Sequence, residues 1–327
     1  MNESAIKPRN RLCYARKLTI GAALLAASLI ADIAAAADLR FTAHQLYPES
    51  VTWSARQQVF MVGSVQHGTV GRLTPDGHYT AFIRDPRLIS TLGLLVDDRR
   101  NTLWVTNSDP GVGEHTSATT NGKLAAVATY DASTGKPRAY FDLSRLEPGA
   151  HLANDLVLDA HGNAYVTDSF APVIFRIDTE GKVSVFARDA RFWTREGFNL
   201  NGIAIHPDGY LLVGNSNSGE LFRIDLDDPS KISPVKLPET LIGADGFDLI
   251  DAHHLIVVQN AGIDRTVELV STDGWQSATI LRTQKSKESK PTAAVTKDGT
   301  VYVLNSRLDT LPDPKAPKVD RYLLQPF

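Results

Sequence analysis

From about residue 38 onward, the chain alternates short apolar runs with compact polar turns. Apolar runs of this length, bounded by turn residues, are typical of β-strands. Convincing amphipathic helical periodicity does not occur in this part of the sequence. The pattern therefore predicts an all-β protein. Four of the turns share an Asp-Gly pair, at Asp76-Gly77, Asp208-Gly209, Asp273-Gly274 and Asp298-Gly299.

A strand–turn–strand unit recurs six times. Residues 154–178 (NDLVLDAHGNAYVTDSFAPVIFRID) align with residues 201–225 (NGIAIHPDGYLLVGNSNSGELFRID), and the other copies align less fully. The copies begin 43, 62, 47, 44 and 46 residues apart, and the long interval contains a polar insertion at 111–123. Their first residues are Glu49, Leu92, Asn154, Asn201, Asp245 and Pro291.

Units of about 40–50 residues with four short strands each are typical of β-propeller blades. The repeat therefore predicts a six-bladed β-propeller over residues 38–327. We expect the segment near 41–46 or the last segment, 321–327, to complete a blade and close the ring. A β-sandwich is the alternative, but sandwiches show no repeat of blade length.

The first 37 residues differ from the rest. A basic start precedes the apolar run 18–37, which ends in four alanines before Asp38. This is the pattern of a secretory signal peptide, so we expect cleavage near Ala36 or Ala37 and a periplasmic or secreted protein. An uncleaved membrane anchor is the alternative, because the run is about long enough to span a bilayer, although Asp32 weakens it. The single cysteine, Cys13, precedes the run, so the mature chain would have no disulfide.

The composition excludes one class of partner. The chain has 327 residues and a formal net charge of -3, and it has no basic stripe, so nucleic acid is not an expected partner. We expect a monomer that binds a small-molecule substrate and does not contact the membrane after signal cleavage.

Polar residues begin several of the predicted inner strands, although those strands are otherwise apolar. The first strand of each propeller blade lies nearest the central axis, so these positions should meet at one mouth of the channel. Oxygen-bearing side chains converging from separate blades predict a site for a hard cation. Calcium, with 6–8 oxygen ligands, is the first expectation, and zinc, manganese and magnesium are alternatives. The predicted ligands are Glu49, Asn154, Asn201 and Asp245.

Two of these ligands precede glycine, which leaves a second interpretation open. Asn201-Gly202 and Asp245-Gly246 are also favoured hairpin-turn dipeptides. However, each unit already has a turn about seven residues later, and neither Glu49 nor Asn154 is followed by glycine. We therefore favour the metal site.

A second set of Asx residues ends the next strand of the repeat. We expect these residues mainly to cap backbone groups, with Asn107, Asp168 and Asn215 as candidates to approach the ion or substrate. The loops 108–123 and 186–200 are predicted to overhang the site, and the second loop carries Trp193. Asn154, Trp193 and Asn215 are the predicted substrate-binding residues. Packing of the loop aromatics against blade four is the alternative for Trp193. The Asx residues that end the second strand of the repeat are Asn107, Asp168, Asn215, Asn260 and Asn305.

The sequence resembles the senescence-marker protein/gluconolactonase superfamily of six-bladed propellers, which is related to paraoxonase and diisopropyl-fluorophosphatase. The resemblance is carried by PES at 48–50, the ND pair of LANDLVLD, the NG of LNGIAIHPDG and the DG of ADGFDLID. It implies a divalent metal held by Glu49, Asn154, Asn201 and Asp245, with Asn154 also facing the substrate. Leu152 stands where the gluconolactonase branch places an arginine that helps to bind sugar acids, which argues against a sugar lactone.

These observations predict a metal-dependent hydrolase of a lactone or another ester. The cation would stabilise the oxyanion of the tetrahedral intermediate, and Asp245 would be both ligand and general base. His151 is the second candidate base. The alternative function is a non-catalytic periplasmic ligand-binding or scaffold propeller with a structural metal. A lyase is a third possibility, but Glu49 is the only candidate for its catalytic glutamate.

Overall fold

The computed structural model describes residues 36–327, which form six four-stranded antiparallel sheets. Each sheet is one blade. Blade one contains β2 (Val51–Ser54), β3 (Val59–Gly63), β4 (Thr69–Leu73) and β5 (Tyr79–Arg84), and blade two contains β6 (Ser90–Asp97), β7 (Thr102–Ser108), β8 (Ala125–Asp131) and β9 (Pro137–Asp142). Blade three contains β10 (Ala153–Leu158), β11 (Ala164–Asp168), β12 (Val173–Ile177) and β13 (Val183–Arg188), and blade four contains β14 (Leu200–His206), β15 (Tyr210–Asn215), β16 (Leu221–Asp225) and β17 (Ile232–Pro234). Blade five contains β18 (Ala244–Leu249), β19 (His254–Gln259), β20 (Arg265–Val270) and β21 (Thr279–Lys285), and blade six contains β22 (Pro291–Lys297), β23 (Thr300–Asn305), β24 (Arg321–Pro326) and β1 (Leu39–Thr42).

The blades close into a ring around their first strands. Each inner strand contacts the inner strands of both neighbouring blades, and β22 of blade six returns to β2 of blade one. The ring is fastened by β1, which pairs antiparallel with β24, with Leu39 opposite Leu324. Both segments proposed for closure therefore contribute to blade six. The prediction of an all-β, six-bladed propeller is confirmed, and the sandwich is excluded.

The hydrophobic core is divided into clusters that lie between neighbouring blades. Between blades six and one, for example, the ring centroid of the fully buried Phe60 lies 5.8 Å from that of Tyr302 in β23 and 4.7 Å from that of Trp53 in β2. Trp104 and Tyr165 occupy comparable places between blades two and three and between blades three and four. Burial of each side chain of this size contributes about 1.5–3 kcal/mol to the free energy of folding. The aromatic residues of the repeat thus hold neighbouring blades together.

Within residues 36–327, the helical structure is limited to two 3₁₀ turns, Ala190–Phe192 and Leu308–Thr310. No helix in this part of the chain is long and apolar enough to cross a membrane. The predicted signal peptide, with Cys13, lies almost entirely outside the described residues and stays a prediction.

Candidate functional site

In five blades, a β-bulge occurs where the inner strand begins. The bulge in β14 falls between Leu200 and Ile203 and contains Asn201, and the bulge in β18 falls between Ala244 and Phe247 and contains Asp245. A bulge bends the strand and re-aims its side chains, so a polar side chain can turn into the channel without breaking the apolar pattern of the strand. The other three bulges interrupt β6, β10 and β22.

The four predicted ligands meet in one cavity of about 330 Å³ at this end of the channel. Asn154, Asn201 and Asp245 are each no more than 5% exposed, and Glu49 is half-buried just before β2. The structure therefore brings together, from four separate blades, the side chains that the repeat aligned. The rest of the lining is mixed: Val65, Leu92, Pro110, Val112, Phe198, Ser216, Asn260, Lys290, Thr292, Leu308, Asp309, Leu311 and Pro312.

The glycines after the ligands serve close packing rather than turns. Gly202 lies inside β14, and a Cβ added there would come within 1.9 Å of the backbone oxygen of Asp245. At Gly246 a Cβ would come within 2.5 Å of the Thr292 backbone oxygen. Since real Cβ atoms do not approach so closely, glycine allows adjacent inner strands to converge on the axis. The hairpin-turn interpretation of these dipeptides is wrong.

Hydroxyl groups of one blade hold the ligand backbone of the next. Thr106 Oγ1 in blade two donates to the carbonyl oxygen of Asn154 in blade three, at 2.6 Å. Thr167 Oγ1 in blade three donates to the carbonyl oxygen of Asn201 in blade four, at 2.8 Å. These buried bonds fix each ligand relative to its neighbour, which is the preorganisation that a precise site requires.

Two oxygens of the predicted ligands are buried without a hydrogen-bond partner in the described structure: Asn154 Oδ1 and Asp245 Oδ1. The remaining polar atoms of these side chains are engaged. Asn154 Nδ2 donates to Ser169 Oγ at 2.9 Å, and Asp245 Oδ2 accepts from Asn260 Nδ2. Buried oxygens normally have a partner, so two orphaned acceptors in one cavity suit a ligand that accepts electron pairs.

The charge of the cavity favours the same kind of ligand. Burial raises the pKa of Glu49 well above its usual range, and the charges of Asp245 and Asp155 raise it further. Burial also raises the pKa of Asp245, against the opposing charge of Lys290. Repelling carboxylates in a buried site would be relieved by a cation. Within residues 36–327, no three His, Cys, Asp or Glu side chains are grouped so that they could hold a metal ion. The four predicted ligands do not form such a group, because two of them are carboxylates and two are amides. These oxygen donors fit a hard cation such as calcium better than zinc.

The geometry does not support the base role predicted for His151. Its ring is 2% exposed and is not part of the cavity lining. Nδ1 lies 2.7 Å from Asp168 Oδ2, and Nε2 lies 2.7 Å from the carbonyl oxygen of Glu147. With an acceptor at each nitrogen, the ring favours the doubly protonated form and has no free lone pair for a substrate.

Two predicted substrate-binding residues also lie outside the cavity. Asn215 is fully buried, and its side chain bonds to the backbone of Phe192, Asn217 and Ser218. Its side chain caps backbone groups, as expected for most of the Asx residues that end the second strand of the repeat. Trp193 is 44% exposed and lines a neighbouring groove instead. The loop prediction is partly right, because Phe198 of the same loop lines both the groove and the cavity.

Asn260 and Lys290 are cavity residues that the sequence reasoning missed as ligand partners. Asn260 is one of the Asx residues predicted to cap backbone groups at the end of the second strand, yet its side chain contacts a predicted ligand, Asp245. Lys290 precedes the aligned Pro291 and was not singled out. Leu152, in contrast, is fully buried and is not among the residues that line the cavity.

Comparisons with known proteins agree with this architecture. A family profile described as "SMP-30/Gluconolactonase/LRE-like region" matches residues 47–278, a span that contains all four predicted ligands. The comparison with curated protein sequences found no match.

Solved structures with the same fold are distant in sequence. The major Malassezia sympodialis allergen Mala s 1 has 18% identity and a TM-score of 0.70, over 88% of this chain and 95% of the allergen chain. A luciferin-regenerating enzyme has 16% identity and a TM-score of 0.61, over 88% and 95%. Virginiamycin B lyase from Staphylococcus aureus has 13% identity and a TM-score of 0.55, over 82% and 81%. At such identities the similarity shows the fold alone, since one fold supports many functions.

Proposed function

The chain belongs to the SMP-30/gluconolactonase/LRE-like family, and from this premise we propose that it is a metal-dependent hydrolase of a lactone or another ester. Calcium is the proposed ion, held by Glu49, Asn154, Asn201 and Asp245. The proposal extends the family assignment to a reaction and an ion, and it is supported by the chemistry of the cavity.

The observation that carries the proposal is the pair of orphaned oxygens, Asn154 Oδ1 and Asp245 Oδ1. They belong to different blades, are buried in the same cavity and accompany a second carboxylate, Glu49. A divalent ion, when bound, would supply positive charge to an ester carbonyl oxygen as that oxygen becomes an oxyanion. A purely structural role for the four side chains would not require two acceptors to stay unsatisfied.

Asp245 is the proposed base for the attacking water. One of its oxygens is held by Asn260, so the other has a fixed direction in the cavity. Burial moves the pKa of Asp245 above its usual range, which makes the carboxylate a better proton acceptor than an exposed aspartate. His151 is not proposed as a base, because both ring nitrogens face acceptors elsewhere.

The lining supports a substrate with an apolar body. Its apolar residues include Val65 from blade one and Leu92 from blade two, together with Phe198 before β14 and Leu311 after β23. Such a lining suits an aryl or alkyl ester, or a lactone with an apolar substituent, better than a polyhydroxylated sugar lactone. We also propose, on the basis of its first 37 residues, that the protein is exported to the periplasm or the medium.

The test is hydrolysis of a panel of lactones and aryl esters by the calcium-loaded protein, with and without EDTA. We expect turnover that EDTA removes and that added calcium restores. Chelator-sensitive thermal stability without turnover of any ester would reject the hydrolase and favour the non-catalytic binding propeller. Turnover that is indifferent to EDTA would reject the metal.

A further inference from the structure

Lys290 places an ammonium group in the lining of the cavity, just before the inner strand of blade six. Its Nζ makes one long contact, 3.5 Å to Asn260 Oδ1. Within residues 36–327, Lys290 forms no salt bridge, so no carboxylate oxygen lies within 4.0 Å of this nitrogen. An ammonium has three N–H donors, so most of its hydrogen-bonding capacity is left for a ligand.

The backbone is built to hold this lysine in place. Lys290 has a φ of 54°, a left-handed conformation that is uncommon for residues with a side chain. The conformation is fixed by Ser306, whose backbone N–H and hydroxyl both donate to the carbonyl oxygen of Lys290. The two bonds from Ser306 hold the backbone of Lys290 at the entry to β22, beside the cavity that its side chain lines.

Asn260 links Lys290 to a predicted ligand, because its amide nitrogen donates to Asp245 and its amide oxygen faces Lys290. The cavity therefore offers two places to a negatively polarised group: a cation held by the four predicted ligands, and the ammonium beside them. Asp309, the remaining charged residue of the cavity lining, is exposed and accepts a hydrogen bond from Ser289, so solvent screens its charge.

We propose that Lys290 binds a carboxylate of the substrate, so that the preferred substrates are esters or lactones that carry an anionic group in addition to the reacting bond. This inference rests on the proposed hydrolase function, and it names the substrate class of the same cavity. The apolar lining would contact the body of the substrate, and the ammonium would fix its orientation. Lys290 is thus assigned as a specificity-determining residue, not as a ligand of the ion.

The test compares two aryl esters that differ by one carboxylate, phenyl acetate and 3-acetoxybenzoate. The ratio of their kcat/KM values is measured for the wild type, Lys290→Met and Lys290→Arg. We expect the wild type to prefer the anionic ester, Lys290→Met to lower that ratio about tenfold, and Lys290→Arg to keep most of it. Lys182→Met, at an exposed turn outside the cavity, controls for the loss of one positive charge and should leave the ratio unchanged.

Binding of benzoate, compared with benzamide, is measured by calorimetry on the same proteins, and their thermal melting confirms that they are folded. If phenyl acetate is hydrolysed but Lys290→Met leaves both the ratio and benzoate binding unchanged, the role of Lys290 is overturned while the hydrolase stands. If neither ester is hydrolysed but benzoate binds about tenfold more weakly to Lys290→Met, the carboxylate site stands and the hydrolase falls.

Discussion

Asn260 donates its side-chain amide to one carboxylate oxygen of Asp245, and the other oxygen of that carboxylate has no partner among the described residues. The two residues come from successive strands of blade five, at the places where β18 begins and β19 ends. The arrangement orients a single free oxygen in the cavity. It also makes Asp245 the residue on which both proposed roles, ion binding and proton transfer, depend.

Asp245→Asn should abolish the stabilisation that calcium gives and the hydrolysis of every ester in the panel. The substitution keeps the shape of the side chain but removes one of two ligand charges and the proposed base. Calcium-dependent melting and kcat/KM are the measurements. Asp248→Asn is the matched control, since Asp248 lies on the same strand but lines a separate cavity and bonds to Thr296. Calcium stabilisation equal to the wild type in Asp245→Asn would contradict the site.

Asn260→Ala should weaken calcium binding without removing any ligand. Groups that orient a metal ligand typically contribute about 10–100-fold to affinity, so we expect a loss in that range by calorimetric titration. Asn217→Ala, which removes an amide outside the cavity, should leave the affinity unchanged. If both variants bind calcium as the wild type does, the contact with Asp245 has no orienting role.

Without calcium, the protein should become less stable as the pH rises from about 5.5 to about 8. Burial raises the pKa of Glu49 and of Asp245, so the folded, ion-free protein binds more protons than the unfolded chain between the unfolded and folded pKa values. Their stabilising effect is complete below the unfolded pKa values near 4 and is lost as the pH rises through the folded ones. We therefore expect EDTA-treated protein to melt at a lower temperature at about pH 8 than at about pH 5.5.

Calcium should reduce this difference, because the ion compensates the ionised carboxylates. Asp245→Asn should also have a shallower pH dependence in EDTA than the wild type. Equal melting temperatures at both pH values in EDTA would contradict the burial of the Glu49 and Asp245 carboxylates.

The repeat was sufficient to predict the blades and the meeting of Glu49, Asn154, Asn201 and Asp245 in one cavity, because each of these residues occupies the same place in a unit that the chain repeats. Side-chain direction in loops follows no such period. Trp193 therefore could not be placed from sequence, and it lies in the neighbouring groove while Phe198 reaches the cavity. Lys290 and Asn260 were missed for a related reason. Their contacts depend on a left-handed backbone and on a side-chain rotamer, and neither leaves a signal in the pattern of apolar residues.

The assignment of His151 failed for a different reason. Proximity in sequence to Asn154 suggested proximity to the reaction, but the side chain turns to Asp168 and Glu147 instead. A histidine and an aspartate seventeen residues apart gave no sign of pairing until β10 and β11 were placed beside each other.

His151→Gln should therefore destabilise the fold and leave catalysis nearly intact. Burial lowers the pKa of His151, but the hydrogen bond and charge of Asp168 and the carbonyl of Glu147 outweigh it, so the net shift is upward. The ion pair thus stabilises fully below the unfolded pKa of about 6.5 and less as the pH rises through the folded value. Removing one partner of a buried pair costs about 3–5 kcal/mol, and we expect that loss at about pH 6 and a smaller one at about pH 9.

Urea denaturation at the two pH values measures this loss, and the pH profile of kcat/KM separates it from a catalytic role. A variant that stays stable but loses a basic limb of that profile would restore His151 as the base. Gln at position 151 can still hydrogen-bond to one of the two acceptors, so the variant should remain folded enough to assay.

Gly202→Ala should disrupt the site through the backbone alone. The new Cβ would lie within 1.9 Å of the Asp245 backbone oxygen and 2.5 Å of the Phe247 ring, and the oxygen belongs to a strand held on both sides. Blades four and five must therefore separate at the channel mouth, which moves Asp245 away from Asn201. We expect a loss of about 3 kcal/mol in unfolding free energy, at the upper end for overpacking, together with weaker calcium binding.

Ser50→Ala is the control, because blade one already has a Cβ at the corresponding position after Glu49. It loses only the hydroxyl that accepts from the Leu94 N–H, so a loss of about 1 kcal/mol and an unchanged calcium affinity are expected. Urea denaturation and calcium titration of both variants decide the matter. If Gly202→Ala is as stable as the wild type and binds calcium as tightly, the inner strands can separate without a loss of stability. The close approach of blades four and five would then not determine the spacing of the predicted ligands.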